Sequence, residues 1–208
     1  MPPGVRDPTD PSDSDLLRSL RSGDPEALGR LLDRLWEPLV GYARRILPEG
    51  MDPQDVVQEA FVRLWSRRVQ LREDGSLKAL LYKTVRNASL DELRTSRRRQ
   101  KILATGPQPS RPRTPYEDVH GAELQRLAAG AVGQLPEKRR EVFRLIREEG
   151  LSYRDAAEVL GLSEQTVANH MSLALADLRT AMRPFLSARE EASGESRKPK
   201  GADKPVLG

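Results

Sequence analysis

Along most of this chain apolar residues recur at the three- and four-residue spacing of amphipathic helices, and no stretch alternates with the period of a strand. Residues 1–12 are rich in Pro, Asp and Ser, offer nothing to bury, and are expected to be disordered. The first helix start is read at Asp24-Pro25, a carboxylate N-cap followed by proline at the first helical position, with Leu28, Leu31, Leu32, Leu35 and Trp36 behind it. Pro38 predicts a kink or a restart, after which Leu39, Tyr42, Ala43, Ile46 and Leu47 continue the stripe. Asp52-Pro53 repeats the start signal. The helix that follows carries Val56, Val57, Ala60, Phe61, Leu64 and Trp65 on one face and Asp55, Gln58, Glu59 and Arg63 on another. A polar loop, residues 69–76, leads to a long helix from Leu77 to Lys101. Its apolar side is Leu77, Leu80, Leu81, Val85, Ala88 and Leu93, and its basic side is Lys83, Arg86, Asn87, Arg94 and Arg97 to Arg99.

The run TGPQPSRPRTP stays extended and cannot pack a core, so it reads as a linker. One more amphipathic helix is expected over 116–133. From Leu135 to Arg183 the pattern predicts a helix, a turn and two helices joined tightly. Ala157 is small where helices cross, Gly161 permits a sharp turn, and Val167 returns to the core, which is helix-turn-helix spacing. Ala156, Leu160, Leu162, Met171, Leu175 and Leu178 would complete that core. The outer face of the second helix would then hold Glu164, Gln165, Ala168, Asn169 and Ser172. Amides such as Gln165 and Asn169 can bond the N6 and N7 edge of adenine, and a helix N-terminus at Ser163 can meet a phosphate. An ordinary helical hairpin is the alternative for this stretch. The expected fold class is all-α, with two small helical domains joined by a flexible linker and the second a helix-turn-helix domain. The expected bounds are 13–104, 105–115 and 116–186, with a disordered tail over 187–208.

Composition narrows the function. The 208 residues are 37% hydrophobic and 32% charged, which suits small helical bundles more than one large core. The 35 basic residues against 31 acidic ones are mostly arginine, the side chain best shaped for phosphate and guanine edges. With no cysteine there is no disulfide framework and no thiolate metal site. The acidic, proline-rich start does not resemble a signal peptide, and no apolar run has the length of a bilayer span. The expectation is a cytoplasmic protein without membrane insertion. The two histidines, His120 and His170, lack partners at metal-ligand spacing, and phosphate-binding loops, nucleophile elbows and HExxH motifs are absent. Neither catalysis nor a metal or cofactor is expected.

Several stretches taken together resemble the extracytoplasmic-function sigma factors, the small two-domain specificity subunits of bacterial RNA polymerase. LLDRLWEPLVGYARRIL and DPQDVVQEAFVRLW are similar to helices of the family's first domain. LLYKTVRNASLDELRTSRRR is similar to its segment for the promoter element nearest the start site, and LPEKRREVFRLIREEGLSYRDAAEVLGLS to the start of its second domain. The resemblance covers roughly Asp24 to Arg183. It implies a sigma factor that binds core RNA polymerase and directs promoter recognition, melting and transcription initiation.

On these residues it implies that Asp55, Gln58 and Glu59 dock on the polymerase, with Val56, Phe61 and Trp65 holding that face in place. It further implies that the loop 69–76 holds a flipped base of the melted non-template strand. Lys83, Arg86, Asn87 and Arg94 would grip the near promoter element and its melted edge. Ser163, Gln165, Thr166, Ala168, Asn169, His170 and Ser172 would meet the far element as duplex DNA. The linker, with Arg111 and Arg113, would thread through polymerase, and an anti-sigma factor is a partner that such proteins often have. This sequence departs from the family where Gln165 stands for a frequent glycine, Leu173 for a frequent basic residue, and Leu80 for a frequent tryptophan. Fewer cations on the recognition helix imply an altered far promoter element. Two other readings stay open: a helix-turn-helix regulator of the response-regulator type, and a protein-interaction module that sequesters a partner.

Overall fold

A computed structural model describes residues 12–103 and 122–194. The linker, His120, the start of the helix expected from Tyr116, and both chain ends fall outside the described residues. Among the described residues there are helices and turns and no strand. They fall into two compact units, one within Met1–Pro109 and Arg144–Ala168, the other within Ser110–Phe143 and Asn169–Gly208.

The first unit begins with a helix that the apolar pattern alone did not disclose, α1 (Asp13–Ser22). Ser12 caps it by accepting from the Asp15 amide at 3.2 Å, and Gly23 closes it in the left-handed region. Only three of its ten residues are buried, Leu16, Leu17 and Leu20, too few in a polar decapeptide to stand out as a stripe. Burying a leucine is worth about 1.5–3 kcal/mol, so these three outweigh the exposed ion pairs that also tie α1 down, Arg34–Asp13 at 2.6 Å and Arg21–Glu73 at 2.5 Å.

Helix α2 (Pro25–Arg44) starts as expected, with the Asp24 carboxylate accepting from the Glu26 amide at 2.9 Å. It does not restart at Pro38. That proline lies on the exposed side of the helix, where water can serve the carbonyl it leaves unbonded, while Leu35, Leu39, Val40, Tyr42 and Ala43 hold the segment in the core. Ile46 and Leu47 lie past the helix end and are half-buried. Helix α3 (Pro53–Ser66) buries Val57, Ala60, Phe61 and Leu64 against α2 and α4. A 3-10 turn over Arg68–Gln70 opens the loop that leads to α4 (Leu77–Leu103). Along α4, Leu77, Ala79, Leu81, Tyr82 and Val85 are buried.

The same unit contains the π-helical turn Arg144–Glu148 and α7 (Tyr153–Leu160), which packs on α4. In the second unit lie α5 (Ala122–Gln134), α6 (Glu137–Phe143) and most of α8 (Glu164–Gly194). Val132, Leu135 and Ala174 form its core with Phe143 and Leu178 beside them. Arg139 donates to Asp177 at 2.6 Å, and Arg140 to the Gly133 carbonyl at 2.7 Å. Helix α8 continues through Pro184 to Gly194, beyond the expected tail start at 187. The run ARE-EA has strong helix formers where composition alone suggested disorder.

Candidate nucleic-acid interface

Helix α3 is set by its first turn. The Asp52 carboxylate accepts from the Gln54 amide at 2.9 Å and Pro53 supplies a pre-set φ, so the helical phase is fixed before the apolar residues begin. That phase leaves Asp55, Gln58 and Glu59 exposed, opposite the buried Val57, Ala60, Phe61 and Leu64. Glu59 accepts from Arg63 one turn on at 2.8 Å. Phe61 meets Trp36 with ring centroids 6.2 Å apart, while Trp65 is half-buried under the Arg68 guanidinium, 4.5 Å from its centroid. Arg68 also donates to the Trp65 carbonyl at 2.9 Å, which pins the start of the loop 69–76 to α3.

Within the loop Val69 is the most exposed apolar residue, at 69%. Arg72 and Asp74 form a two-pronged pair at 3.1 and 3.0 Å, each raising or lowering the other's pKa in the sense that favours both charges. Ser76 ends the loop by accepting from the Ala79 amide at 3.1 Å. An open cleft of about 930 Å³ lies between α3, this loop and α4. Asp55 and Glu59 line one side, Arg72 and Gly75 another, and Leu80 and Asn87 a third. The fold therefore turns side chains of three consecutive stretches onto one opening. Of the four residues expected at the near element, Asn87 alone lines the cleft. Lys83 lies 3.9 Å from Glu158 of α7, Arg94 pairs with Asp91 at 2.8 Å on the surface, and Arg86 is half-buried.

The helix-turn-helix is built by two caps and one glycine. Ser152 accepts from the Asp155 amide at 3.0 Å to start α7, and Gly161, φ +66°, ends it. Ser163 then accepts from the Thr166 amide at 3.1 Å to start α8. Ala156, Ala157, Val159, Val167 and Met171 are buried, whereas Leu160, Leu162, Leu175 and Leu178 are half-buried. Of the residues expected at duplex DNA, Ser163, Gln165, Asn169 and Ser172 are exposed. Thr166 and Ala168 are half-buried, and the Thr166 hydroxyl lies 2.8 Å from the Ser163 hydroxyl that forms the cap. His170 is half-buried with its Nδ1 enclosed and without a hydrogen-bond partner. A Cβ at Gly161 would meet nothing within 4 Å, so only the backbone resists substitution there. Gly161→Val is expected to cost about 1–2 kcal/mol and Gly161→Asn clearly less, read from the denaturant midpoints of the full chain. Equal midpoints would mean the turn does not need its positive φ.

Sequence reasoning missed one cluster. The Glu149 side chain is 7% exposed and accepts from the Tyr82 hydroxyl at 2.6 Å and from Arg45. Lys78 donates to the Glu149 carbonyl. Burial, reinforced by the Glu149 charge, pushes the Tyr82 hydroxyl far above its ordinary pKa, and burial lowers that of Lys78. The Tyr82 residue is fully buried. No periodic signal links residue 82 to residue 149.

Two family models match in the order that this architecture requires. Residues 31–99 match Sigma-70 region 2, and residues 125–178 match Sigma-70, region 4. The RNA polymerase sigma factor CnrH of Cupriavidus metallidurans is 32% identical over 180 residues, covering 81% of this chain and 94% of that protein. The chain belongs to the sigma-70 family, in its extracytoplasmic-function group. The ECF RNA polymerase sigma-E factor of Haemophilus influenzae is 26% identical over 185 residues, covering 84% of this chain and 97% of its own. The probable RNA polymerase sigma factor RfaY of Xanthomonas campestris is 30% identical over 170 residues, which are 77% of this sigma factor but only 42% of that longer relative. The solved structure of CnrH in complex with the cytosolic domain of CnrY superposes with a TM-score of 0.56 at 27% identity, covering 83% of this chain and 97% of that one. Among the described residues no helix is long and apolar enough to cross a membrane, and no group of three or more His, Cys, Asp or Glu side chains could hold a metal ion.

Proposed function

We propose that this sigma factor docks on core polymerase through the exposed Asp55, Gln58 and Glu59 of α3 and carries two separate promoter grips, over 13–104 and 116–186, joined by the linker 105–115. The observation that carries the reading is the cleft between α3, the loop 69–76 and α4, onto which α3 and the turn after it bring Arg63 and Arg67, the loop Arg72, and α4 Asn87, beside the acidic Asp55, Glu59 and Asp91. A melted strand there would find Arg72 and Asn87 for phosphate and base edges and Leu71 and Leu80 for apolar contact. Lys83, Arg86 and Arg94 supply phosphate contacts along α4. Each one used should add about 0.9 to the salt slope of promoter binding. On the far element, Ser163 offers a helix N-terminus while Gln165 and Asn169 present amides for base readout, with Ala168, Thr166, His170 and Ser172 shaping the contact.

In this reading the chain works in the cytoplasm as a subunit, and the chemistry of nucleotide addition belongs to the polymerase. CnrH is seen with the cytosolic domain of CnrY, and a protein of that kind would suit this sigma factor too, by covering its polymerase-docking face. The response-regulator alternative leaves both the region 2 match and the α3 face without a role. Reconstitution tests the proposal: purified chain plus core polymerase should start transcripts at discrete genomic promoters where core alone gives none. Tight duplex binding by the chain alone, with no promoter-specific transcript from any genomic template, would favour the regulator.

A further inference from the structure

We propose that α1 belongs to the strand-capturing site, as the brace that sets where the loop 69–76 stands against the cleft, with Arg21 and Arg68 as its positioning residues. The inference rests on the capture of a melted strand proposed above. Helix α1 ends at Ser22, ahead of residue 31, where the match to Sigma-70 region 2 begins.

The loop does not set its own position. Arg72, Glu73, Asp74 and Gly75 are exposed, and the Arg72–Asp74 pair links two residues of the loop itself. Yet Gln70, Leu71, Arg72, Gly75 and Ser76 line the cleft, so the shape offered to a strand depends on where the loop is held. Helix α1 meets it at both sides. At the start of the loop, the 3-10 turn Arg68–Gln70 packs on α1. The Arg68 guanidinium lies 4.5 Å from the Trp65 ring centroid, donates to the Trp65 carbonyl, and runs beside Gly23, the left-handed residue that closes α1. A Cβ at Gly23 would stand 3.5 Å from the Arg68 Nε, so this cation is already in near contact with the end of α1. The Nε is enclosed and has no hydrogen-bond partner among the described residues, so stacking and packing supply much of the hold. Further along the loop, Arg21 donates to Glu73 at 2.5 Å. Leu17 of the same helix is buried and lines the cleft, so the helix that ties the loop also forms part of the capturing surface.

The role of the two arginines is geometric. Telling bases apart by their edges needs donors and acceptors held within about 0.5 Å of the productive geometry, and a loop free to shift would meet every base alike. Bracing the loop before the strand arrives removes that spread. An exposed ion pair adds little to the stability of the fold, so the effect of Arg21 belongs to discrimination and not to folding.

Transcription by the chain plus core polymerase, from a promoter library randomised across the near element, tests the brace. The readout is the ratio of rates between the preferred base and the others at the position of sharpest preference, since a ratio cancels changes in phosphate attraction. Arg68→Lys keeps the charge and loses the planar stack, so this preference should fall about tenfold while helicity, core-polymerase affinity and far-element preference stay unchanged. An unchanged near-element preference overturns the brace. Should that variant lose helicity or polymerase binding, the surface pair decides. Arg21→Gln and Glu73→Gln should each lower the preference about threefold, and the double variant should lose no more than either alone, as a cycle on one contact requires. Losses that multiply, or no loss from either, overturn the proposal. A parent chain with no base preference anywhere in the near element would remove strand capture and the brace together, whereas a parent preference kept by every variant removes the brace alone.

Discussion

Replacing Asp55, Gln58 and Glu59 together with alanine is expected to reduce binding to core polymerase by about a hundredfold or more while leaving the helical circular dichroism signal intact. Loss of a single interfacial contact commonly costs about 1–2 kcal/mol, near tenfold in affinity, so three losses on one face exceed what neighbouring contacts can compensate. Folding should barely change. All three side chains are exposed, and the Glu59 to Arg63 bond that is lost is a surface pair one turn apart worth about 0.3–0.5 kcal/mol. Alanine returns a similar amount through helix propensity. Titration of labelled core polymerase with parent and variant chains measures the effect. Binding within threefold of the parent would move the docking surface off α3.

Replacing Gln165 and Asn169 with alanine should alter which far promoter elements are used, whereas Arg86→Ala should weaken all promoters alike. An amide that bonds adenine bidentately contributes about 1–3 kcal/mol of discrimination, or roughly ten- to a hundredfold against the wrong base. A phosphate contact carries no base information and should instead lower the salt slope by about one. Both amide side chains are exposed on α8 just after the Ser163 cap, while Arg86 is half-buried on α4. Transcription from a randomised promoter library separates the two outcomes. Identical shifts in base preference for both variants would abolish the division between reading and gripping.

The site was legible to different depths. The α3 face could be read from sequence because Asp52-Pro53 fixes where the helix starts, and from there a 3.6-residue period decides which side each residue takes. The helix-turn-helix was legible for the same reason, with Gly161 marking the one position that needs a positive φ. The roles of Ser163 and Thr166 were not. Their hydroxyls could face a phosphate or close a cap; the Ser163 hydroxyl caps α8 by accepting from the Thr166 amide, and the Thr166 hydroxyl lies 2.8 Å from it. Helix α1 escaped because its three leucines gain their energy from α2 and the 3-10 turn, partners that a local window does not see.

Local rules, then, were enough for the elements and the family: caps, prolines, glycines and apolar spacing act within a few residues and leave their mark in the sequence. What only the tertiary structure decided is which distant groups meet. The cleft that gathers Asp55, Arg72 and Asn87, the passage of α2 through Pro38, and the grouping of Arg144–Ala168 with the helices that precede the linker all depend on packing across long sequence separations. The Glu149 cluster shows the reason most clearly. Arg45, Lys78 and Tyr82 give no signal on their own, and Glu149, 67 residues beyond Tyr82, gives them a common partner, its buried carboxylate taking Arg45 and the Tyr82 hydroxyl and its backbone carbonyl taking Lys78. That pairing is energetically permitted only once the fold has excluded water around it.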